Sequence, residues 1–133
     1  MSINKSQLYL GLCVAGLIPV ALAYGVAPST TVPFLFGFPA DATNTQHIFR
    51  AVMGLYLALA ALWTAGIIKP PMRMAALYCN VTFMWGLAAG RVLSLLLDGM
   101  PNALLLLYLA LEFGFGAIGL WVIKQECQKN GQC

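Results

Sequence analysis

The chain has 133 residues, of which 61% are hydrophobic and only 8% charged, and its net charge is +3. Soluble domains carry about a quarter charged residues, and a small globule has much surface for its volume. A 14.3 kDa chain with seven Lys and Arg, four Asp and Glu and a mean hydropathy of +0.84 is therefore not a soluble enzyme, a nucleic-acid binder or a disordered segment. Its solvent is lipid.

A spanning helix needs about 20 apolar residues, and four runs qualify. The first covers residues 8–27 and carries no charge. Lys5 ahead of it and Ala21-Leu22-Ala23 within it resemble a secretory signal and its small-residue cleavage site. The run is longer than a signal core, which favours a retained helix. Residues 28–46 are the one long connection, read as an outer loop with Pro28, Pro33 and Pro39. Its apolar stretch Phe34-Leu35-Phe36-Gly37-Phe38 is too short to span. That stretch is expected at the interface or folded back over the bundle mouth. The second span, 48–68, is stopped by Lys69-Pro70-Pro71, because proline lacks a donor and clashes with the preceding turn. The third, 74–97, leads into the tight turn Asp98-Gly99-Met100-Pro101-Asn102. The fourth, 103–123, precedes a polar tail, 124–133. Short connections make spans two, three and four antiparallel neighbours. The chain reads as all-α and polytopic: one antiparallel four-transmembrane-helix bundle over residues 1–133. Lipid forbids open strands, and the alternation of a membrane barrel is missing.

Orientation follows from Lys and Arg near the span ends. Lys5, Lys69, Arg73, Lys124 and Lys129 fall on one side if the chain crosses four times. The other side has Asp41 and Asp98. Both termini are therefore expected in the cytoplasm. Cys127 and Cys133 then sit in a reducing compartment as free thiols, while Cys13 and Cys79 lie in apolar runs. A lone His47 and the lack of any metal-ligand spacing point to no metal and no cofactor.

A charge in hydrocarbon costs about 2.5–3.5 kcal/mol on insertion scales, so Arg50, Arg91 and Glu112 need partners. Counted from the outer span ends at 1.5 Å per residue, they lie about 4, 10 and 15 Å deep. Arg91 and Glu112 are on consecutive spans, and a long arginine bridges the difference in depth. An Arg91–Glu112 pair is predicted, with Arg50 as a third corner. On the third span Asn80, Met84, Leu87, Arg91, Ser94 and Asp98 share a stripe; on the fourth, Leu105, Tyr108, Glu112, Gly116 and Gly119 do. On the second, Arg50, Gly54, Leu57 and Ala61 are aligned. Tyr108 lies one turn outward of Glu112, within reach of the pair. Gly54, Gly86, Gly90 and Gly116 are read as close helix contacts, Gly86 and Gly90 forming a Gly-x-x-x-Gly step, and Gly114 and Gly119 add to Gly116 on the fourth span. That step serves internal packing or a seam between copies.

The motifs Arg50-Ala51-Val52-Met53-Gly54-Leu55-Tyr56, Gly90-Arg91-Val92-Leu93-Ser94, Asp98-Gly99-Met100-Pro101 and Leu111-Glu112 together resemble the bacterial membrane family catalogued as domain of unknown function 4345. The resemblance covers roughly residues 11–122. It implies a compact four-helix membrane protein with no established activity, and the chain is expected in the bacterial inner membrane. Its patterned charges map onto Arg50, Arg91, Asp98 and Glu112.

The expected site is an outward-facing polar pocket walled by Arg50, Arg91, Asp98, Tyr108 and Glu112 and lidded by residues 34–38. Guanidinium suits carboxylate or phosphate, so the leading reading is binding of a small anionic or amphipathic, lipid-like molecule. A second reading is a proton-coupled transporter that uses Glu112. A third is a structural or accessory subunit whose ion pair only holds the fold. A nucleophile–base pair is missing, which argues against an enzyme. Partners are the bilayer, such a ligand, and a further copy or another membrane protein, but not nucleic acid.

Overall fold

The computed structural model describes residues 4–131. It is all-helical, with no strand among the described residues. Helices α1 (Lys5–Gly25), α2 (Pro28–Phe36), α3 (Thr43–Ile68), α4 (Arg73–Leu97) and α5 (Ala103–Asn130) follow in order, and one 3₁₀ turn (Pro70–Met72) joins α3 to α4. Four of these are long and apolar enough to cross a membrane, namely α1, α3, α4 with its leading turn, and α5. The chain is a multi-pass membrane protein with a helical bundle.

Contacts fix the neighbours. Gln7 near the start of α1 donates to the Ile67 carbonyl at the end of α3 (3.0 Å), while a Cβ on Gly25 at the end of α1 would meet Met53 near the start of α3. These two helices therefore pack along their lengths in opposite senses. Trp63 and Tyr56 of α3 stack edge-on against Phe83 of α4, at 5.6 and 5.3 Å between ring centroids. Arg91 of α4 meets Glu112 of α5, and Trp85 meets Gly116. Leu10, Trp63 and Leu77 are fully buried at the centre.

Close backbone approach falls on Gly119 and Gly116 of the glycines read from the sequence and on Gly66, which that reading left out. A side chain on Gly119 would collide with Tyr9 and Val81, and one on Gly66 with Ala76, so these positions admit close backbone approach. Gly116 lies against the Trp85 ring, as expected. Gly54, Gly86 and Gly90 are exposed with open space around them. The reason is angular: one residue turns a helix by about 100°, and Gly86 and Gly90 each sit one residue before Leu87 and Arg91 of the buried stripe. Gly54 is likewise beside, and not on, the α3 stripe of Tyr56, Ala60 and Trp63.

The connection 28–46 is more ordered than a loop. Pro28 opens α2 at a first-turn position where its missing N–H costs nothing. Gly37, at φ 77°, closes it in the left-handed conformation that glycine tolerates. Thr31 donates to the carbonyls of Ala23 and Ala27, folding α2 onto the end of α1. Phe36 meets Tyr24 edge-on at 5.6 Å, and the Asn102 amide donates to the Leu35 carbonyl (3.1 Å). Asn102 also caps α5 by accepting from the Leu105 N–H (3.0 Å). Thus α2 crosses one end of the bundle, from α1 to the α4–α5 turn.

At the other end α5 continues to Asn130 and closes on Gly131 at φ 63°. The residues read as a tail are helical because Val122, Ile123, Glu126 and Cys127 remain buried. Cys127 is disulfide-bonded and not a free thiol. Cys133 lies outside the described residues.

Candidate functional site

Arg91 and Glu112 come together as a buried pair. The Arg91 Nε donates to both carboxylate oxygens of Glu112, at 2.8 and 2.9 Å. Glu112 is only 6% exposed, and the arginine side chain is 23% exposed. The helices dictate this meeting: Arg91 follows Met84 and Leu87 at helical spacing on α4, and Glu112 precedes Gly116 on the buried side of α5. The guanidinium plane stands over the Tyr108 ring, its carbon 5.5 Å from the centroid, a favourable cation–π arrangement. Tyr24, whose ring lies 5.9 Å from that of Tyr56, lines the same cavity as Arg91.

The pair and the three tyrosines line a cavity of about 150 Å³. Helix α1 supplies one wall from Leu12 to Tyr24, Tyr56 of α3 closes the back, and α4 and α5 form the opposite wall. Apart from the ion pair, the tyrosines and Cys13, the lining is hydrocarbon and glycine. At the mouth, Leu12 of α1 is 54% exposed and Leu111 of α5 is 45% exposed, with Gly16 open beside them. The opening therefore faces sideways between α1 and α5, toward lipid.

This differs from the expected outward pocket. Arg50 is exposed and does not line the cavity. The buried stripe of α3 passes through Phe49, Met53, Tyr56 and Ala60, one residue aside from Arg50, so the guanidinium points off the bundle and can reach the interface as arginines near helix ends do. Asp98 is also exposed and outside the cavity; it accepts from Ser94 (2.7 Å) at the end of α4. Of the five proposed wall residues, Arg91, Tyr108 and Glu112 are grouped, and Arg50 and Asp98 are not. Tyr24 and Tyr56 join them. Both are buried and share one aromatic cluster at 5.9 Å. The residues of 34–38 reach the site only through Phe36 against Tyr24.

A second polar cluster lies at the opposite end of the helices. Glu126 of α5, 6% exposed, accepts from Ser6 (2.5 Å) and Asn4 (3.0 Å) and has Arg73 at 4.0 Å. Arg73 in turn donates to the carbonyls of Gly66 and Ile67, both at 3.2 Å, satisfying the open end of α3. Lys5 donates to Gln125 (2.9 Å) and stands over the Trp121 ring at 4.9 Å. One residue ring thus ties α1, α3, α4 and α5. The signal for Glu126 was present: Glu112, Gly116, Gly119, Ile123 and Glu126 are spaced by four, three, four and three. The end of the apolar run hid it.

Nearer the middle, the Tyr9 hydroxyl lies within hydrogen-bond distance of the Asn80 side-chain oxygen (2.6 Å) and the Phe115 carbonyl (2.8 Å), its one proton serving either acceptor, and so joins α1, α4 and α5. Asn80 is thereby an interhelical residue, as its place in the polar stripe predicts. No group of metal-ligating residues occurs among the described residues.

A family model described as Domain of unknown function (DUF4345) matches residues 6–123. No curated protein and no solved structure matches the chain.

Proposed function

This chain belongs to the DUF4345 family, whose description assigns no activity, and from the cleft itself we propose that it binds the acidic head group of an amphipathic molecule within the bilayer. One observation carries this reading. Glu112 occupies only the Nε of Arg91, so the two terminal amino groups lie outside the pair. A guanidinium has five N–H donors, and among the described residues no carboxylate or carbonyl accepts from those terminal groups. Arg91 lines a cavity together with Tyr24, Tyr56 and Tyr108. A guanidinium with two amino groups outside its ion pair matches the two oxygens of a carboxylate or the oxygens of a phosphate. The hydrocarbon walls match an apolar chain.

The location belongs to the same proposal: the bacterial inner membrane, with both termini in the cytoplasm because Lys5, Lys69, Arg73, Lys124 and Lys129 gather on that side, an assignment that the Cys127 disulfide opposes, since reducing compartments disfavour such bonds. Reporter fusions at both ends test it, and activity of a periplasm-dependent reporter at either terminus would reverse it.

Binding is tested in lipid nanodiscs by thermal unfolding with a long-chain carboxylate. A ligand that binds only the folded state raises the midpoint in proportion to the logarithm of its concentration. The double variant Arg91→Met with Glu112→Met removes the head-group donors without leaving a buried charge unpaired. The parent is expected to be stabilised and the double variant not. An equal response from both would remove the proposal and leave the pair as a fold-holding element, the accessory-subunit reading. Transport would add pH-dependent flux in vesicles that Glu112→Gln abolishes.

A further inference from the structure

Resting on that reading, we infer that the ligand enters sideways from the surrounding leaflet, through a portal between α1 and α5, and that it is a membrane-dissolved molecule with one acidic head and an apolar chain. Among the described residues, the direct side-chain hydrogen bonds between these two helices lie toward one end. Asn4, Ser6 and Lys5 hold Glu126 and Gln125, and Tyr9 bonds the Phe115 carbonyl. Beyond Tyr9 these bonds stop. From Leu12 to Tyr24 the inner side of α1 faces the cavity, a length of about 18 Å at 1.5 Å per residue.

The chemistry along that length is graded. Arg91, Tyr24 and Tyr108 sit at the end crossed by α2, and Leu12, Cys13 and Phe115 sit at the pinned end. A head group bound at Arg91 therefore sends its chain along the helices, parallel to the neighbouring acyl chains. The chain lies against Leu12, Leu87 and Leu111. Gly16 keeps the mouth wide: a Cβ there would meet nothing within 4 Å. At the end crossed by α2, Phe36 packs on Tyr24 and Asn102 holds Leu35, while Arg91 also lines a smaller cavity of about 60 Å³ with Ser94, Pro101 and Leu105 between α4 and α5, so competition by acetate reads out whether a water-soluble anion arrives that way. The shared ligand chemistry is a long-chain carboxylate or a single-chain phosphate, and the probes separate them.

The experiment uses the whole protein in nanodiscs and a palmitate analogue carrying a photoactivatable group in mid-chain, with unlabelled palmitate, lysophosphatidate and acetate as competitors. Adducts are expected on residues 12–20 of α1 and 107–115 of α5. One of the two long-chain competitors should displace the probe, which names the head group, and acetate should not. Gly16→Leu fills the mouth without displacing a neighbour, so it should keep the unfolding midpoint and lower labelling by at least about tenfold. The Arg91→Met, Glu112→Met double variant should lower it as well. If the double variant loses labelling and Gly16→Leu does not, the lateral portal is overturned while the head-group site stands. If neither loses it, or if adducts spread evenly over all lipid-facing helix sides, both fall. Displacement by acetate as strong as by palmitate would also overturn entry from lipid.

Discussion

At the scale of single residues, the ion pair and the packed glycines make opposite demands on mutation. Breaking a buried pair by removing one partner leaves an uncompensated charge and costs about 3–5 kcal/mol, whereas replacing both partners with apolar residues of similar volume is neutral or stabilising. Glu112 is 6% exposed, so it falls in the regime where this asymmetry holds. Arg91→Met alone is expected to destabilise the bundle by that amount, and the double Met variant to stand close to the parent. Unfolding midpoints in one detergent measure both. Equal losses in the single and double variants would mean that the pair adds specific stability of its own. The glycines give a sharper geometric contrast. Gly119→Ala drives a Cβ into Tyr9 and Val81, while Gly86→Ala enters open space. Overpacking costs typically about 1–3 kcal/mol, and alanine is the better helix former by about 1 kcal/mol. Gly119→Ala should therefore lower stability, and Gly86→Ala should raise it slightly or leave it unchanged.

At the scale of helices, the spans were legible because hydropathy and length decide them, and two of their ends fell where Lys69-Pro70-Pro71 and Asp98-Gly99 break the chain. The pairing of Arg91 with Glu112 was legible for a related reason: burial cost singles out both residues, and helical spacing aligns them. Two things were hidden. The partner side of a helix depends on its neighbours, so a stripe drawn through Arg50 on α3 looked as good as the true stripe through Phe49 and Met53. The other hidden feature was tertiary satisfaction beyond the apolar run. Residues 124–130 look like a solvated tail, yet Glu126 lies buried because Asn4, Ser6 and Arg73 reach it across the bundle. Hydrogen bonds to a charged group contribute about 1.5–3 kcal/mol each. Glu126→Ala should therefore release the last two turns of α5 and the first turn of α1 together. Backbone hydrogen exchange at residues 122–130 and 5–9 reads this out. Faster exchange in α5 alone, with α1 unchanged, would show that the two ends are not coupled through that carboxylate.

At the scale of the whole molecule, one end is tied by polar bonds and the other opens on an electroneutral pair in a low-dielectric wall. That charge balance constrains what binds. Arg91 of α4 and Glu112 of α5 cancel, and the other titratable groups lining the cavity are Cys13 and Tyr24 of α1, Tyr56 of α3 and Tyr108 of α5. An anion added to this set would leave a net buried charge, which costs several kcal/mol even after relaxation. A carboxylate head group is therefore expected to arrive with one proton, shared among its own oxygens and the Glu112 carboxylate, whereas a phosphate monoester needs two. Linkage then sets the sign. Above the pH at which the head group ionises in the bilayer, binding takes up one proton, and the apparent Kd should rise about tenfold per pH unit. Below that pH the neutral acid is already abundant, and the Kd should be flat. A long-chain sulfonate, which stays ionised throughout, should bind far more weakly at every pH. Titration calorimetry in two buffers of different ionisation heat counts the proton directly. A pH-independent Kd, or a sulfonate that binds as well as the carboxylate, would mean that the anion enters alone, with Arg91 freed from Glu112 to balance it.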